Sequence, residues 1–134
     1  MIVPRILVDT YTWIEISRNS PWGQRALKRI EKEPAVFVSV LTLYELQYRF
    51  TDLYGEEKAG SFIATILNHG EVIPVDQQIA TMAGVIKSRE KKNGSSKGAV
   101  DCMILATARL YGLKILSGDK HFTGLEEFLD ISGI

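Results

Sequence analysis

The sequence has little cysteine and histidine and no excess of either charge. Its 134 residues include one cysteine, Cys102, and two histidines, His69 and His121. A single cysteine cannot form an internal disulfide, so the chain is no disulfide scaffold and fits a reducing compartment. None of these three residues is placed for a zinc site. We predict that Cys102 is a small buried residue and not a nucleophile, because no base stands near it in the pattern.

The charge balance argues against a strongly basic nucleic-acid binder, and the short apolar runs argue against a membrane-spanning protein. Sixteen basic residues match sixteen acidic ones, which argues against a nucleic-acid binder held by bulk electrostatics but permits local phosphate contacts. No apolar run approaches the roughly 20 residues of a membrane span. The initial segment lacks the separate apolar region and cleavage site of a signal peptide. We therefore expect a cytoplasmic protein with no membrane association.

Short aliphatic runs alternate with amphipathic stretches, and we interpret residues 1–134 as a single domain that buries its own core. This alternation requires crossover connections, so it predicts an α/β fold with a parallel sheet of four to five strands and helices on both faces. The predicted strands are Arg5–Val8, Ala35–Val40, Glu71–Val75, Leu113–Leu116 and Asp130–Ser132. The predicted helices run over about Tyr11–Ser17, Pro21–Glu33, Leu43–Phe50, Glu56–Asn68, Gln77–Lys91 and Ala99–Tyr111.

Capping residues mark several helix ends. Ser20 and Asp76 are predicted N-caps, and Gly112 fits the left-handed residue that ends a helix. Thr42 is predicted to cap the next helix, with Glu45 three residues later as its capping-box partner.

Four carboxylates are predicted at the edge of the sheet where open α/β folds bind ligands. Asp9 ends the first strand, Glu45 lies one turn into a helix, Asp101 opens a helix and Asp119 follows a strand. Helix N-termini and strand C-termini share one edge of an α/β sheet, so we expect all four acids to meet there. Such a cluster would raise its own pKa values unless a cation lay within it. Oxygen ligands of this kind suit Mg²⁺ or Mn²⁺.

Each acid taken singly has a structural explanation as well. Asp101 could be favoured by the helix dipole, Glu45 by capping, and Asp9 and Asp119 by turn formation. Their convergence on one edge favours the metal site. His121, beside Asp119, is predicted to be a surface residue, with a role near substrate as the alternative.

Two other groups of residues remain open. The charged run 87–97 is interpreted as a solvated helix end, with a phosphate-contact patch as the alternative. The aromatic residues of the first third are expected mostly in the core, some lining a groove for a partner or for stacked bases. These residues are Tyr11, Trp13, Trp22, Tyr44, Tyr48 and Tyr54.

Four short motifs, in order along nearly the whole chain, resemble those of the PIN-domain ribonucleases. They are Asp9-Thr10, Thr42-x-x-Glu45 within VSVLTLYEL, AVDCMILATA with Asp101, and SGDKHF with Asp119. The resemblance implies a three-layer, Rossmann-like sheet of order 3-2-1-4-5, RNA cleavage and Mg²⁺ or Mn²⁺. The small size is similar to VapC toxins, which implies a homodimer and inhibition by a small antitoxin laid across the acidic groove. Ser117 departs from the more usual Thr but keeps the hydroxyl.

The resemblance assigns catalytic and metal-binding roles that the chemistry of phosphodiester hydrolysis supports. Asp9, Asp101 and Asp119 would hold the metal, and Glu45 would hold a water on it or act as general base. Thr10 and Ser117 would hydrogen-bond the carboxylates or phosphate.

Two alternative functions remain at this stage. One is a receiver-type phosphoacceptor domain, although the first strand carries one acid only and Lys120 is the sole candidate for its lysine. The other is a PIN-like scaffold without activity. For the homodimer, the helices over Gln77–Lys91 or Ala99–Tyr111 are the candidate contact surfaces.

Overall fold

The computed structural model describes residues 5–131, which form one five-stranded sheet between two layers of helices. All strand pairs are parallel and the order is β3-β2-β1-β4-β5, which confirms the predicted topology. The strands are β1 Arg5–Val8, β2 Val36–Ser39, β3 Gly70–Ile73, β4 Leu113–Leu116 and β5 Phe128–Leu129. The helices are α1 Thr10–Ser17, α2 Pro21–Glu31, α3 Val40–Tyr54, α4 Glu56–His69, α5 Gln77–Lys92 and α6 Ala99–Tyr111, with a 3₁₀ turn over Lys120–Phe122.

The side chains of the central strand point alternately into two separate cores. Ile6 and Val8 pack with α1–α4, whereas Leu7 packs with α5 and α6. Successive side chains of a strand leave opposite faces, so the three consecutive buried aliphatic residues 6–8 of β1 require helices on both sides. The three-layer α/β/α architecture follows from this pattern. No helix among residues 5–131 is long and apolar enough to cross a membrane.

The predicted cap of α3 is wrong. Ser39, not Thr42, is the N-cap, and its hydroxyl accepts a 3.1 Å hydrogen bond from the backbone N–H of Leu41. Two hydroxyl residues three positions apart can both cap, and β2 passes directly into α3 at the earlier one. Thr42 is consequently buried in the first turn, and Glu45 lies in the second turn, too far along to be a capping-box partner.

The predicted last strand is also displaced. β5 ends at Leu129, so Asp130 and Ile131 lie outside it, and Ser132 is beyond the described residues. Ile131 is nevertheless buried in the core on the α1–α4 side, so its hydrophobicity reflects core packing without strand pairing.

The other predicted caps are confirmed. Ser20 accepts from Gly23 N–H, Asp76 accepts from Ile79 N–H, and Gly112 has the left-handed conformation at the end of α6.

The charged run 87–97 is only partly solvated. Lys97 is buried, with its Nζ 3.7 Å from Glu90, and the Nζ of Lys87 donates a 2.6 Å hydrogen bond to the carbonyl of Lys97. These two lysines tie the loop before α6 to α5. They are therefore not available as phosphate contacts.

Candidate metal centre

The structure places all four predicted acids around a single pocket of about 160 Å³ at the carboxyl edge of the sheet. Val8 pairs with Leu116, so the chain leaves β1 and β4 side by side at this edge. The lining residues are Asp9, Thr10, Tyr11, Glu45, Arg49, Val100, Asp101, Ile104, Asp119 and Phe122.

Asp9 is the buried acid of the pocket. It caps α1, and its Oδ1 accepts a 3.1 Å hydrogen bond from the backbone N–H of Thr12. Burial raises the pKa of Asp9 to about 7, against the opposing effect of hydrogen bonds from Ser117 and Thr12. The charge of Asp119 raises it further. Asp9 therefore keeps its proton to a higher pH than an exposed carboxyl group does.

The hydroxyl of Thr12 lies between the ends of β1 and β4. It contacts both Asp9 Oδ1, at 3.0 Å, and the carbonyl oxygen of Leu116, at 2.7 Å. A hydroxyl has one proton and cannot donate to both acceptors at once. That proton is therefore shared between the two oxygens, and the Thr12 hydroxyl links Asp9 to the end of β4.

Ser117 connects two of the acids. Its hydroxyl bonds the carboxyl group of Asp9 and accepts a 2.9 Å hydrogen bond from the backbone N–H of Asp119. The side chain is buried, so this geometry is held firmly. Ser117 therefore fixes the distance between the ends of β1 and β4, which carry Asp9 and Asp119.

Glu45 faces the pocket from α3. Its Oε1 accepts a 2.8 Å hydrogen bond from the hydroxyl of Thr10, which lies in the first turn of α1. The bond joins residues 35 positions apart and orients a half-buried carboxylate that the helix alone would leave free. The two residues therefore touch where α1 and α3 line the pocket.

His121 is the residue that sequence analysis undervalued. Its Nδ1 lies 3.2 Å from Asp101 Oδ2 and 3.1 Å from Asp119 Oδ1. Although 39% of its side chain is exposed, it bridges two of the predicted ligands. In the sequence, this contact was indicated only by the position of His121 two residues after Asp119. The 3₁₀ turn over Lys120–Phe122 brings the two side chains close together.

Asp101 lies in the first turn of α6 and is half-buried. Burial raises the pKa of Asp101, and the neighbouring charges of Asp119 and Glu45 raise it further, whereas His121 and Lys97 lower it. Asp101 therefore keeps its proton to a higher pH than an exposed carboxyl group does.

The donor set fits a divalent cation. One ligand atom each from Asp101, Asp119 and His121 lies within 4.8 Å of the others. The two separations from His121 are close to the roughly 3 Å between adjacent ligands of an octahedral ion with bonds of about 2.1 Å. Among the described residues, Asp9 and Glu45 do not belong to this tight group, but they line the same pocket. A cation would offset the mutual repulsion that raises these pKa values.

Solved structures of toxin–antitoxin proteins resemble this chain closely in fold. VapC20 of Mycobacterium tuberculosis, described as a sarcin-ricin loop cleaving toxin, matches with a TM-score of 0.78 at 20% identity, over 94% of this chain and 98% of that chain. A DNA-bound VapBC from Salmonella typhimurium matches with a TM-score of 0.75 at 25% identity, over 98% and 96%. A toxin–antitoxin complex from Klebsiella pneumoniae has a TM-score of 0.74 at 22% identity, over 93% and 96%.

Comparison with curated proteins gave no significant match. The sequence model of the PIN domain, in contrast, matches residues 6–127, which include all but the first residue of β1 and all the residues of the acidic pocket. The match covers most of the chain, and the fold agrees with it. The protein belongs to the PIN-domain family.

Proposed function

We propose that this protein is a metal-dependent endoribonuclease and the toxin of a toxin–antitoxin pair. The observation that carries the proposal is the acidic pocket, in which carboxylates from four separate segments face one space of about 160 Å³. The family assignment and the VapC-type structural neighbours support the same conclusion.

Mg²⁺ or Mn²⁺ would be held by Asp101 and Asp119, with Asp9 as a further carboxylate ligand, His121 as a nitrogen donor and Glu45 holding a water on the ion. When bound, such an ion supplies positive charge opposite the phosphate and lowers the pKa of water. The protein's carboxylates fix the position of that charge.

The remaining side chains orient the acids and handle the proton. Glu45, held by Thr10, is placed to accept the proton of an attacking water. Thr12 and Ser117 hold Asp9 from two sides. These hydroxyls keep the carboxylates in position without adding positive charge that would compete with a cation.

A small antitoxin is the partner we infer, because several structural neighbours are complexes of toxin and antitoxin. We further propose that the protein is a cytoplasmic homodimer that contacts its copy through α5 or α6. The receiver-type alternative is disfavoured, because the chain belongs to the PIN-domain family and Lys120 is not among the residues that line the pocket.

The direct test is cleavage of labelled single-stranded RNA by the purified protein with Mg²⁺, with Mn²⁺ and with EDTA. We expect metal-dependent cleavage that falls at least about 100-fold in Asp101→Asn, in line with the loss of a metal ligand. Asp52→Asn is the matched control, because this exposed acid of α3 does not line the pocket.

Cleavage that persists in EDTA, or that is equal in Asp101→Asn and wild type, would contradict the proposal. Mn²⁺ binding without cleavage of any RNA would indicate the inactive scaffold instead.

A further inference from the structure

Arg49 lines the acidic pocket. It is half-buried on α3 and, among the described residues, forms no hydrogen bond or ion pair. Glu45 lies four residues earlier, a spacing at which helical ion pairs form. Glu45 instead accepts the hydroxyl proton of Thr10. The guanidinium group, with five donors in a planar fork that matches phosphate, is therefore left for an external anion.

Two exposed tyrosines continue this surface along α3. Tyr44 is 70% exposed and Tyr48 is 53% exposed, and their ring centroids lie 6.1 Å apart with a tilt of 37°. Each precedes by one residue a side chain that lines the pocket, Glu45 or Arg49, so the tyrosines occupy the adjacent stripe of the helix. Aromatic rings beside a phosphate-binding arginine are the usual elements of single-strand nucleic-acid binding.

We propose that Arg49, Tyr44 and Tyr48 form a binding surface for single-stranded RNA, and this inference rests on the proposed ribonuclease function. Arg49 contacts a phosphate next to the cleavage position, and the tyrosines stack on the bases that follow. The protein has no net charge to hold RNA at long range, so local contacts of this kind must supply the affinity. A strand running along α3 would carry its phosphates directly from Arg49 to the acids.

The first experiment measures RNA binding by fluorescence anisotropy as a function of salt. Full-length protein carrying Asp101→Asn is used with Mg²⁺ and a labelled RNA of about 12 nucleotides, a length within the usual site sizes. Adding Tyr44→Ala or Tyr48→Ala should weaken binding about tenfold, whereas the Tyr→Phe variants, which keep the ring, should bind normally. The slope of log K against log salt should not change, because no phosphate contact is lost.

Arg49 is tested by the same titration, but here the slope of log K against log salt is expected to change. Arg49→Ala should weaken binding and reduce the salt slope by about 0.7, the value for one phosphate contact on a single strand. Arg49→Lys should keep most of the slope because it keeps the charge. Matched controls are Tyr111→Ala, at the far end of α6, and Arg25→Ala, on α2, and both should bind RNA as the parent protein does.

Cleavage assays and sedimentation distinguish a failure of the proposed ribonuclease function from a failure of the RNA-binding inference. In a background with intact Asp101, Tyr44→Ala should raise KM for RNA more than it changes kcat. A wild type that cleaves no RNA means that the proposed function has failed, whereas wild-type cleavage with unchanged binding in all three alanine variants overturns this inference alone. If the tyrosine variants convert a dimer to monomers and leave RNA affinity unchanged, the surface is a contact between copies, and the inference is wrong.

Discussion

The hydroxyl of Thr10 donates a 2.8 Å hydrogen bond to Oε1 of Glu45 and so joins α1 to α3 across the mouth of the acidic pocket. This bond has two consequences. It orients the carboxylate that we propose as general base, and it gives one oxygen of that carboxylate a partner other than Arg49, four residues later.

Removal of this hydroxyl should therefore reduce RNA cleavage. In Thr10→Val the shape of the side chain is kept, but Glu45 is free to turn toward Arg49, and we expect kcat to fall about tenfold, within the range typical of general-base effects. Thr10→Ser retains the hydroxyl and should stay within about twofold. Equal kcat values for Thr10→Val and wild type would show that the bond has no role in catalysis.

Asp9 should make the metal-free protein less stable as the pH rises. The pKa of Asp9 is about 7 in the folded protein and near 3.9 when unfolded. Below pH 4 the group is protonated in both states and has no effect, whereas above pH 7 the folded state bears the full cost of ionisation. Stability is thus lost between pH 4 and 7.

Asp9→Asn should remove that loss. In urea unfolding with EDTA at pH 8, we expect the variant to be about 1–3 kcal/mol more stable than wild type, with a smaller difference at pH 5. Asp52→Asn should show no such pH dependence. A variant less stable than wild type at pH 8 would contradict the raised pKa.

His121 should influence which metal is bound. An imidazole nitrogen favours Mn²⁺ over Mg²⁺, because Mg²⁺ prefers oxygen ligands. Calorimetric titration should show that His121→Ala loses about tenfold in Mn²⁺ affinity and clearly less in Mg²⁺ affinity. Equal losses for the two ions would indicate that the ring only positions Asp101 and Asp119.

Gly23 allows α2 to pack closely against α1, whose N-terminus carries Asp9. A Cβ at this position would lie 2.2 Å from the backbone oxygen of Glu15, which cannot move aside freely. We expect Gly23→Ala to destabilise the fold by about 1–3 kcal/mol in urea unfolding. Gly60→Ala in α4 is the control, because no atom from another element of the described residues lies within 4 Å of a Cβ placed there, and it should be neutral or stabilising.

The fold could be predicted because the local hydrophobic patterns agree with the topology rules of parallel α/β sheets. The three consecutive residues 6–8 of β1 are all aliphatic and buried, which requires helices on both sides and a central position in the sheet. Asp9 and Asp119 follow strands, and parallel strands end at the same edge. The proximity of Asp9 and Asp119 could therefore be predicted from the sequence, although their role as ligands stays a prediction.

The finer features depend on contacts between distant segments. Ser39 and Thr42 have the same capping chemistry, so only the point where β2 ends decides between them. The hydrogen bond between Thr10 and Glu45 joins residues 35 positions apart. His121 reaches Asp101 only because α6 and the 3₁₀ turn meet in space. No local sequence pattern carries these three facts.

The most direct test of the acidic pocket is Mn²⁺ binding followed by electron paramagnetic resonance at pH 8 and pH 6. We expect a site in wild type whose affinity falls about tenfold or more at pH 6, where a group of pKa about 7 is mostly protonated. The site should be lost in Asp101→Asn and kept in Asp52→Asn. Mn²⁺ binding that is unchanged by both Asp101→Asn and pH would contradict the account.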